Sequence, residues 1–131
     1  MDIPFQDCFF NRNIAMNKLY PMGLTKTEIF TDQQNAVANM AKVLGHPARI
    51  AILQYLFRSE TCVCGDLVSE IGLAQPTVSQ HLRELKNMNL IQGSIEGTKV
   101  CYCINSKAWE GARELLFLFL SQQPKTSGDC C

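Results

Sequence analysis

The sequence of 131 residues predicts a mainly α-helical fold with a small β-hairpin, a winged helix-turn-helix that forms a dimer. Two observations support this prediction. From Asp32 onwards, apolar residues recur at helical spacing in successive segments, two of which are short and meet around Gly72. After them comes the alternating segment LIQGSIEGTKVCYCIN, which is typical of two strands joined by a tight turn.

The chain is expected to divide into three parts. Residues 1–30 form an N-terminal arm, residues 31–122 form the winged helix-turn-helix domain, and residues 123–131 form a flexible C-terminal tail. The arm mixes aromatic residues with Asn, Pro and Gly. It has too many aromatic residues for a plain disordered tail, which favours a segment that docks on a partner.

The first two helices are indicated by their boundaries and their apolar spacing. The first begins at Asp32 and ends at Gly45. The second begins after His46, with Pro47 at a position where the missing N–H costs nothing. The apolar residues expected to form the buried stripe of this second helix are Ile50, Leu53, Leu56 and Phe57.

The third and fourth helices form the predicted helix-turn-helix. The third covers about residues 66–71 and stops at Gly72, and the fourth begins at Pro76. Three residues at i, i+4 and i+7 give the fourth helix a buried face, namely Val78, Leu82 and Leu85. The polar side chains expected on its exposed part are Gln75, Thr77, Ser79, Gln80, His81 and Arg83.

The hairpin and the last helix complete the domain. Strands are expected at residues 90–95 and 99–104, and a last helix at residues 106–121 with Ser106 as its N-cap. The apolar stripe of that helix consists of Trp109, Ala112, Leu116, Phe119 and Leu120. A helix this apolar must be covered on several sides. We therefore favour a homodimer interface, with the first helix alongside, over burial in its own core.

Charge and composition exclude several classes of protein. The chain has 12 basic and 12 acidic residues, which argues against a protein that coats nucleic acid by bulk charge. No signal peptide is evident, and the longest apolar run, residues 115–120, is too short to span a membrane. We therefore expect a cytoplasmic protein with reduced thiols. Its seven cysteines, an odd number, do not suggest a disulfide scaffold.

Three segments carry a family resemblance that extends over about residues 33–121. VLGHPARIAIL, then CVCGDLVSEIGLAQPTVSQHLRELKNMNLI, then EGTKVCYCI resemble the ArsR/SmtB family of bacterial winged helix-turn-helix repressors. The resemblance implies a homodimer that binds double-stranded operator DNA and releases it when a metal or metalloid ion binds. It also implies that the first and last helices pair the subunits and that the fourth helix enters the major groove.

The residue types on the fourth helix suit this role independently. Glutamine can form two hydrogen bonds with adenine, and serine or threonine can bind bases or phosphates. Lys99 lies beside the expected turn of the hairpin, where it can reach a phosphate or the minor groove. Because the chain is nearly neutral, few phosphates would be neutralised and the salt dependence of binding should be modest.

Cys62 and Cys64 match in type the Cys-x-Cys pair that supplies sensor ligands in the resembled family. An extended turn before the third helix would let both sulfurs converge, and Gly65 makes such a turn easy. The helix N-terminus that follows favours the thiolate, which is the form that binds metals. The candidate ions are As(III), Cd(II), Pb(II) and Zn(II), which suit thiolate ligands.

Two thiolates do not satisfy these ions, so a third ligand is needed. The first candidate is Cys8 of the arm, which takes the place of the arm ligand found in some members of the resembled family. The vicinal pair Cys130 and Cys131 in the tail is the second candidate. Cys101 and Cys103 share one face of the last strand and could also pair, although ordinary strand packing explains them equally well.

Alternatives from other classes stay open. The cysteines could be small packed residues of a repressor that responds to a non-metal signal, or they could form a redox sensor. The chain could also be a thiol-rich metal-binding protein without a regulatory role. An enzyme is not expected, because the chain has two histidines and no nucleophile–base or phosphate-loop motif.

Overall fold

The computed structural model describes residues 29–65 and 67–125. Cys8, Cys130, Cys131, the arm up to residue 28 and the end of the tail lie outside this part of the chain. The elements are α1 (Asp32–Leu44), α2 (Pro47–Arg58), β1 (Val63–Cys64), α3 (Leu67–Ile71), α4 (Gln75–Asn87), β2 (Ile91–Glu96), β3 (Lys99–Ile104) and α5 (Ser106–Leu120). Across residues 29–65 and 67–125, every helix is too short or too polar to cross a membrane.

Side chains cap the start of three helices. Thr31 and Gln34 form a reciprocal capping box before α1, with the Gln34 N–H donating to Thr31 Oγ1 at 3.2 Å. The Ala48 N–H donates to His46 Nδ1 at 3.1 Å, so α2 begins after His46 as predicted. The prediction that Ser106 caps α5 is wrong, because the capping oxygen is Oδ1 of Asn105, one residue earlier.

The sheet has three antiparallel strands in the order β1–β3–β2. The hairpin of β2 and β3 was predicted to within one residue, and it turns at Gly97, whose φ of 63° favours glycine. The short strand β1 was not predicted. It adds to the free edge of β3 and connects the residues before α3 to the wing, which is the hairpin of β2 and β3.

The core lies between the sheet and the inward faces of all five helices. Its most buried members include Ile52, Leu85, Leu90 and Ile91. The predicted stripe of α2 is partly wrong, because Ile50 is exposed and the Phe57 side chain is 47% exposed. The helix instead turns Ala48, Ile52, Leu53 and Leu56 inward. Phe57 lies at the border of the core, with its ring centroid 4.7 Å from that of Trp109 in α5.

Candidate nucleic-acid interface and cysteine cluster

The helix α4 packs its apolar residues inward and leaves a polar face in solvent. Val78, Leu82 and Leu85 are buried, as their spacing predicts. Five of the exposed residues of this helix have polar side chains of the kind predicted for DNA contact, and we call them the outer face of α4: Gln75, Thr77, Ser79, Gln80 and Arg83. Because α3 lies directly before α4, the pair has the order of a helix-turn-helix.

Hydrogen bonds hold the middle of the outer face of α4. Gln80 Nε2 donates to Glu84 Oε1 at 3.1 Å, and Arg83 Nη1 donates to Gln80 Oε1 at 3.2 Å. Both functional atoms of the Gln80 amide are therefore engaged along the helix. A base that pairs with Gln80 must replace these two hydrogen bonds, which makes binding sensitive to whether the base offers both partners.

The expectation that His81 lies on the exposed part of α4 is wrong. Its side chain is 9% exposed, because position 81 falls beside Val78 and Leu85 on the inward side of the helix. Its ring lies 4.2 Å from the ring of His46, centroid to centroid, and Nδ1 has no hydrogen-bond partner among the described residues. Burial, followed by the nearby charges of His46 and Arg49, lowers the pKa of His81, while Glu84 opposes the shift.

The wing presents one lysine and two apolar side chains to solvent near its tip. Lys99 is exposed where β3 begins, directly after the turn at Gly97. Ile95 and Val100 face each other across the hairpin, and both are exposed. Lys99 therefore has its predicted position beside the turn.

Four cysteines come together between β1 and β3, and we call them the cysteine cluster: Cys62, Cys64, Cys101 and Cys103. Disulfides join Cys62 to Cys103 and Cys64 to Cys101, with Cα–Cα distances of 4.7 and 4.1 Å. The expectation of reduced, unpaired thiols is therefore wrong for this structure. The reason is the unpredicted strand β1, which places the two Cys-x-Cys segments opposite each other.

The chain leaves the cysteine cluster through Gly65, whose φ of 90° is a conformation that glycine adopts easily. The predicted turn before α3 is thus present, but Cys64 belongs to a strand rather than to the turn itself. A useful signal lay in the sequence: the segments CVC and CYC have the same spacing and can face each other in an antiparallel pair.

Comparisons with known proteins agree with this architecture. A model of bacterial regulatory proteins of the arsR family matches residues 46–92. The arsenical resistance operon repressor of Bacillus subtilis is 33% identical over 113 residues, which are 84% of this chain and 100% of that protein. A biofilm growth-associated repressor of Xylella fastidiosa is 32% identical over 90 residues, covering 68% of this chain and 78% of that protein. The chain belongs to the ArsR family.

The fold of this ArsR-family chain also occurs in a solved homodimer. The homodimeric winged helix-turn-helix DNA-binding domain of a possible ArsR-family regulator from Mycobacterium bovis superposes with a TM-score of 0.54 at 26% identity. The match covers 75% of this chain and 86% of that one. The predictions of a winged helix-turn-helix and of a DNA-binding regulator rather than an enzyme are confirmed.

In this ArsR-family chain, α5 ends in a run of exposed apolar residues. We call Phe117, Leu118, Phe119 and Leu120 the apolar end of α5. Phe117 is 68% exposed and Leu120 is 74% exposed, whereas Ala112 and Leu115 are buried against the core. The helix packs against α1 through its inner side. Large exposed apolar surfaces of this kind mark sites where a partner binds.

The cysteine cluster could bind a thiophilic ion only after its two disulfides are reduced, because the thiolate is the ligand form of cysteine. In residues 29–65 and 67–125, no group of three or more His, Cys, Asp or Glu is arranged to hold a metal ion, and the four sulfurs are bonded to each other. After reduction, the cluster would provide four soft sulfur donors close together on one ladder, which suits soft ions rather than Mg²⁺ or Ca²⁺.

Proposed function

We propose that this chain is a homodimeric repressor that binds operator DNA through α4 and the wing and leaves the DNA when a thiophilic ion binds. The observation that carries the proposal is the outer face of α4, five exposed polar side chains on a helix whose apolar residues are buried, in a chain of the ArsR family. The ArsR-family relatives named above are repressors, which supports the direction of control. We propose a cytoplasmic location, because a repressor must reach its operator DNA there.

The outer face of α4 supplies base readout in the major groove. Gln75 and Gln80 offer the paired donor and acceptor that match adenine, and Arg83 offers donors for guanine or phosphate. Thr77 and Ser79 are exposed near the start of the helix, where short hydroxyl side chains suit close contact with bases or phosphates. Because His81 is buried, it is not part of this contact set.

Dimerisation gives the regulator two reading helices for the two halves of an operator. The apolar end of α5 supplies the apolar area, and α1 lies beside α5 in the same subunit. The exposed Ile29 and Phe30 directly before α1 add to the apolar residues of this region of the chain. We propose that these two helices pair the subunits around a two-fold axis.

In their thiolate forms, Cys62 and Cys64 would hold the inducing ion, which we propose to be As(III), Cd(II), Pb(II) or Zn(II). Such an ion supplies strong bonds to sulfur and requires more than two ligands. Cys8, and as a second choice Cys130 and Cys131, stay candidates for a further ligand. Cys101 and Cys103 are the additional sulfur donors that the described residues bring next to the pair.

Base readout is tested by measuring the DNA affinity of the Gln80→Ala variant and of the unmodified protein by fluorescence anisotropy. Each protein is titrated on operator DNA from upstream of its own gene and on unrelated DNA. We expect Gln80→Ala to weaken operator binding by about 1–3 kcal/mol and to leave unrelated DNA nearly unaffected. Ser79→Ala should act in the same direction.

The matched control is Gln122→Ala, because Gln122 is also exposed but lies beyond the end of α5. It should bind both DNAs as the unmodified protein does. If Gln80→Ala still distinguishes operator from unrelated DNA to the full extent, the proposed role of the outer face of α4 is wrong. Absence of operator binding by the unmodified protein would favour a metal-binding protein without a regulatory role.

The test of induction is an operator titration of the reduced protein with and without As(III), Cd(II), Pb(II) and Zn(II). We expect at least one ion to weaken operator binding, with a coupling free energy of about 1–3 kcal/mol. By linkage, operator DNA must weaken binding of that ion by the same factor. The double variant Cys62→Ser, Cys64→Ser should keep its operator affinity and lose the response.

Additional variants identify the other ligands. Cys8→Ser, removal of Cys130 and Cys131, and Cys103→Ser each test one candidate source, with ion affinity measured directly by competition with a chromophoric chelator. A full response in the Cys62→Ser, Cys64→Ser variant would rule out this pair as the sensor. A lack of response to all four ions in the unmodified protein would favour a non-metal signal.

A further inference from the structure

The four cysteines of the cluster are far apart in sequence in two groups, and the pairing of β1 with β3 brings them together. The ladder pairs Val63 with Tyr102 and Cys64 with Cys101, and the next position places Cys62 opposite Cys103. Because side chains alternate along a strand, Cys62 and Cys64 lie on one face with their partners directly across. The two bonded pairs therefore follow directly from the pairing of β1 with β3.

The opposite face of the same ladder fixes this register. Val63 is buried in the core, and Tyr102 packs against the core from β3. A slip of one residue would turn Val63 to the cysteine side and move a cysteine into the core. We therefore expect the core to hold the four sulfurs in two opposed pairs even when no bond joins them.

The two pairs differ in how easily a reagent can reach them. Cys62 is exposed and Cys103 is half-buried, and both line a cavity of about 420 Å³ together with Phe57 and Trp109. That volume lies in the range of small-molecule sites. Cys101, in the other pair, is 0% exposed. An incoming reagent therefore meets Cys62 first.

We propose that the cysteine cluster is a reversible thiol–disulfide exchange site for low-molecular-weight disulfides, which react first at Cys62. The Cys62 thiolate attacks one sulfur of the disulfide R–S–S–R, forms a mixed disulfide and releases R–S⁻. The Cys103 thiolate then attacks the Cys62 sulfur, forms the Cys62–Cys103 bond and releases the second R–S⁻. The protein pair loses two electrons, and the small disulfide gains them as two thiols.

The Cys64–Cys101 pair is oxidised by a second molecule of R–S–S–R in the same two steps. Cys64 is its more accessible member, because Cys101 is fully buried. Reaction at this inner pair is slower, since exchange requires access to a sulfur atom. Excess small thiol reverses both reactions by the same route.

Oxidation of the cysteine cluster adds covalent bonds between the segment before the helix-turn-helix and the wing. The helix-turn-helix and the wing are the two parts that we propose to contact DNA. β1 leads through Gly65 into α3, which packs against α4, and β3 is a strand of the wing. With both disulfides formed, the start of the helix-turn-helix is covalently joined to the wing. The oxidised cluster also has no thiolate to offer, so it cannot hold the ion proposed above.

The experiment measures cross-linking in the full-length protein, with no DNA or metal ion present, so its outcome is independent of the proposed function. Reduced protein is mixed with 2-hydroxyethyl disulfide, alkylated at timed intervals and digested with trypsin. Cross-linking joins the peptide of residues 59–83 to that of residues 100–107. The outer-pair variant is Cys64→Ser, Cys101→Ala, and the inner-pair variant is Cys62→Ser, Cys103→Ser.

The matched control is the double variant Cys62→Ser, Cys101→Ala. It retains Cys64 and Cys103, which are not opposite each other in the ladder, and we call it the diagonal variant. We expect both opposed-pair variants to cross-link and the diagonal variant to stop at mixed disulfides. The outer pair should react at least about tenfold faster than the inner pair, because the rate depends on access. Added dithiothreitol should reverse every cross-link.

Equal cross-linking of the diagonal and opposed-pair variants would overturn the proposed register of the site. An inner pair that reacts as fast as the outer pair would overturn entry at Cys62. Circular dichroism of each variant verifies that it is folded. The unmodified protein provides a test without substitutions: it must yield the cross-linked peptides with both pairs bonded, and their absence would also contradict the proposal.

Discussion

The outer face of α4 and the apolar end of α5 are both exposed, yet their chemistry is opposite. The outer face of α4 is polar, and Gln80 and Arg83 satisfy one another and Glu84 by hydrogen bonds along the helix. The apolar end of α5 exposes two phenylalanines and two leucines, which gain nothing from contact with water. The first surface is stable alone, whereas the second is stabilised only when another surface covers it.

This difference indicates which surface meets which partner. A polar helix face that already has internal hydrogen bonds can exchange them for bonds to a base, which gives selectivity at modest net affinity. An apolar helix end gains free energy from any burial, at roughly 25 cal/mol per Å², and needs a partner of matching shape. The difference therefore supports the proposal that α4 binds DNA and that α5 binds a second subunit.

The largest expected effect comes from placing a charge in the apolar end of α5. Phe119→Glu should raise the dimer dissociation constant by about 30-fold or more, since loss of a buried anchor costs about 2 kcal/mol or more. Operator binding should fall with it, because one subunit contacts one half-site. Analytical ultracentrifugation measures the first quantity and anisotropy the second.

Gln122→Glu is the matched control, because it adds the same charge at an exposed position just past α5. It should leave both the dimer and operator binding intact. The proposal that α5 binds a second subunit would be wrong if the unmodified protein were a stable monomer at micromolar concentration. It would also fail if Phe119→Glu dimerised as well as the control does.

Local periodicity explains why both of these surfaces could be predicted from the sequence. The buried stripe of α4 and the apolar run of α5 each lie within one helix, so spacing alone shows where they face. The prediction for His81 was wrong because it followed the polarity of the side chain, although the position lies between Val78 and Leu85 on the inward side. Spacing itself failed at Ile50 and Phe57, which lie at the border between buried and exposed faces. There, packing against neighbouring elements decides the outcome, and the spacing of apolar residues does not contain that information.

The cysteine cluster could not be predicted in this way. Its pairs are separated by 41 and 37 residues, and the alignment depends on a strand of two residues, Val63–Cys64. A strand of two residues is too short to show the alternation of apolar and polar residues that identifies a strand, so the sequence around it predicted only a turn. The four sulfurs meet because the core fixes Val63 opposite Tyr102.

A smaller effect is expected at the wing, and it tests whether α4 alone carries specificity. Lys99→Ala should weaken binding to operator and unrelated DNA alike and reduce the slope of log K against log salt by about one. Lys125→Ala is the control, because Lys125 is exposed beyond α5. A loss of discrimination between the two DNAs in Lys99→Ala would mean that the wing, too, reads sequence.

The smallest expected effect concerns the inner side of α4, at His81. Burial and the charges of His46 and Arg49 lower the pKa of His81 in the folded chain. The unfolded chain therefore binds a proton at His81 more readily, so the free energy of unfolding is highest above the ordinary pKa of 6.5 and falls as the pH drops below it. Urea unfolding at pH 7.5 and pH 5.5 measures this fall.

His81→Gln removes the titrating group and keeps a neutral polar side chain, so we expect it to reduce the loss of stability between the two pH values. Ser79→Ala, on the outer face of the same helix, should retain the full loss, because its side chain is exposed and does not titrate. An identical pH dependence in His81→Gln and the unmodified protein would show that other groups cause it. A reduced dependence in His81→Gln alone would separate the two sides of α4, one that stabilises the fold and one that we propose contacts DNA.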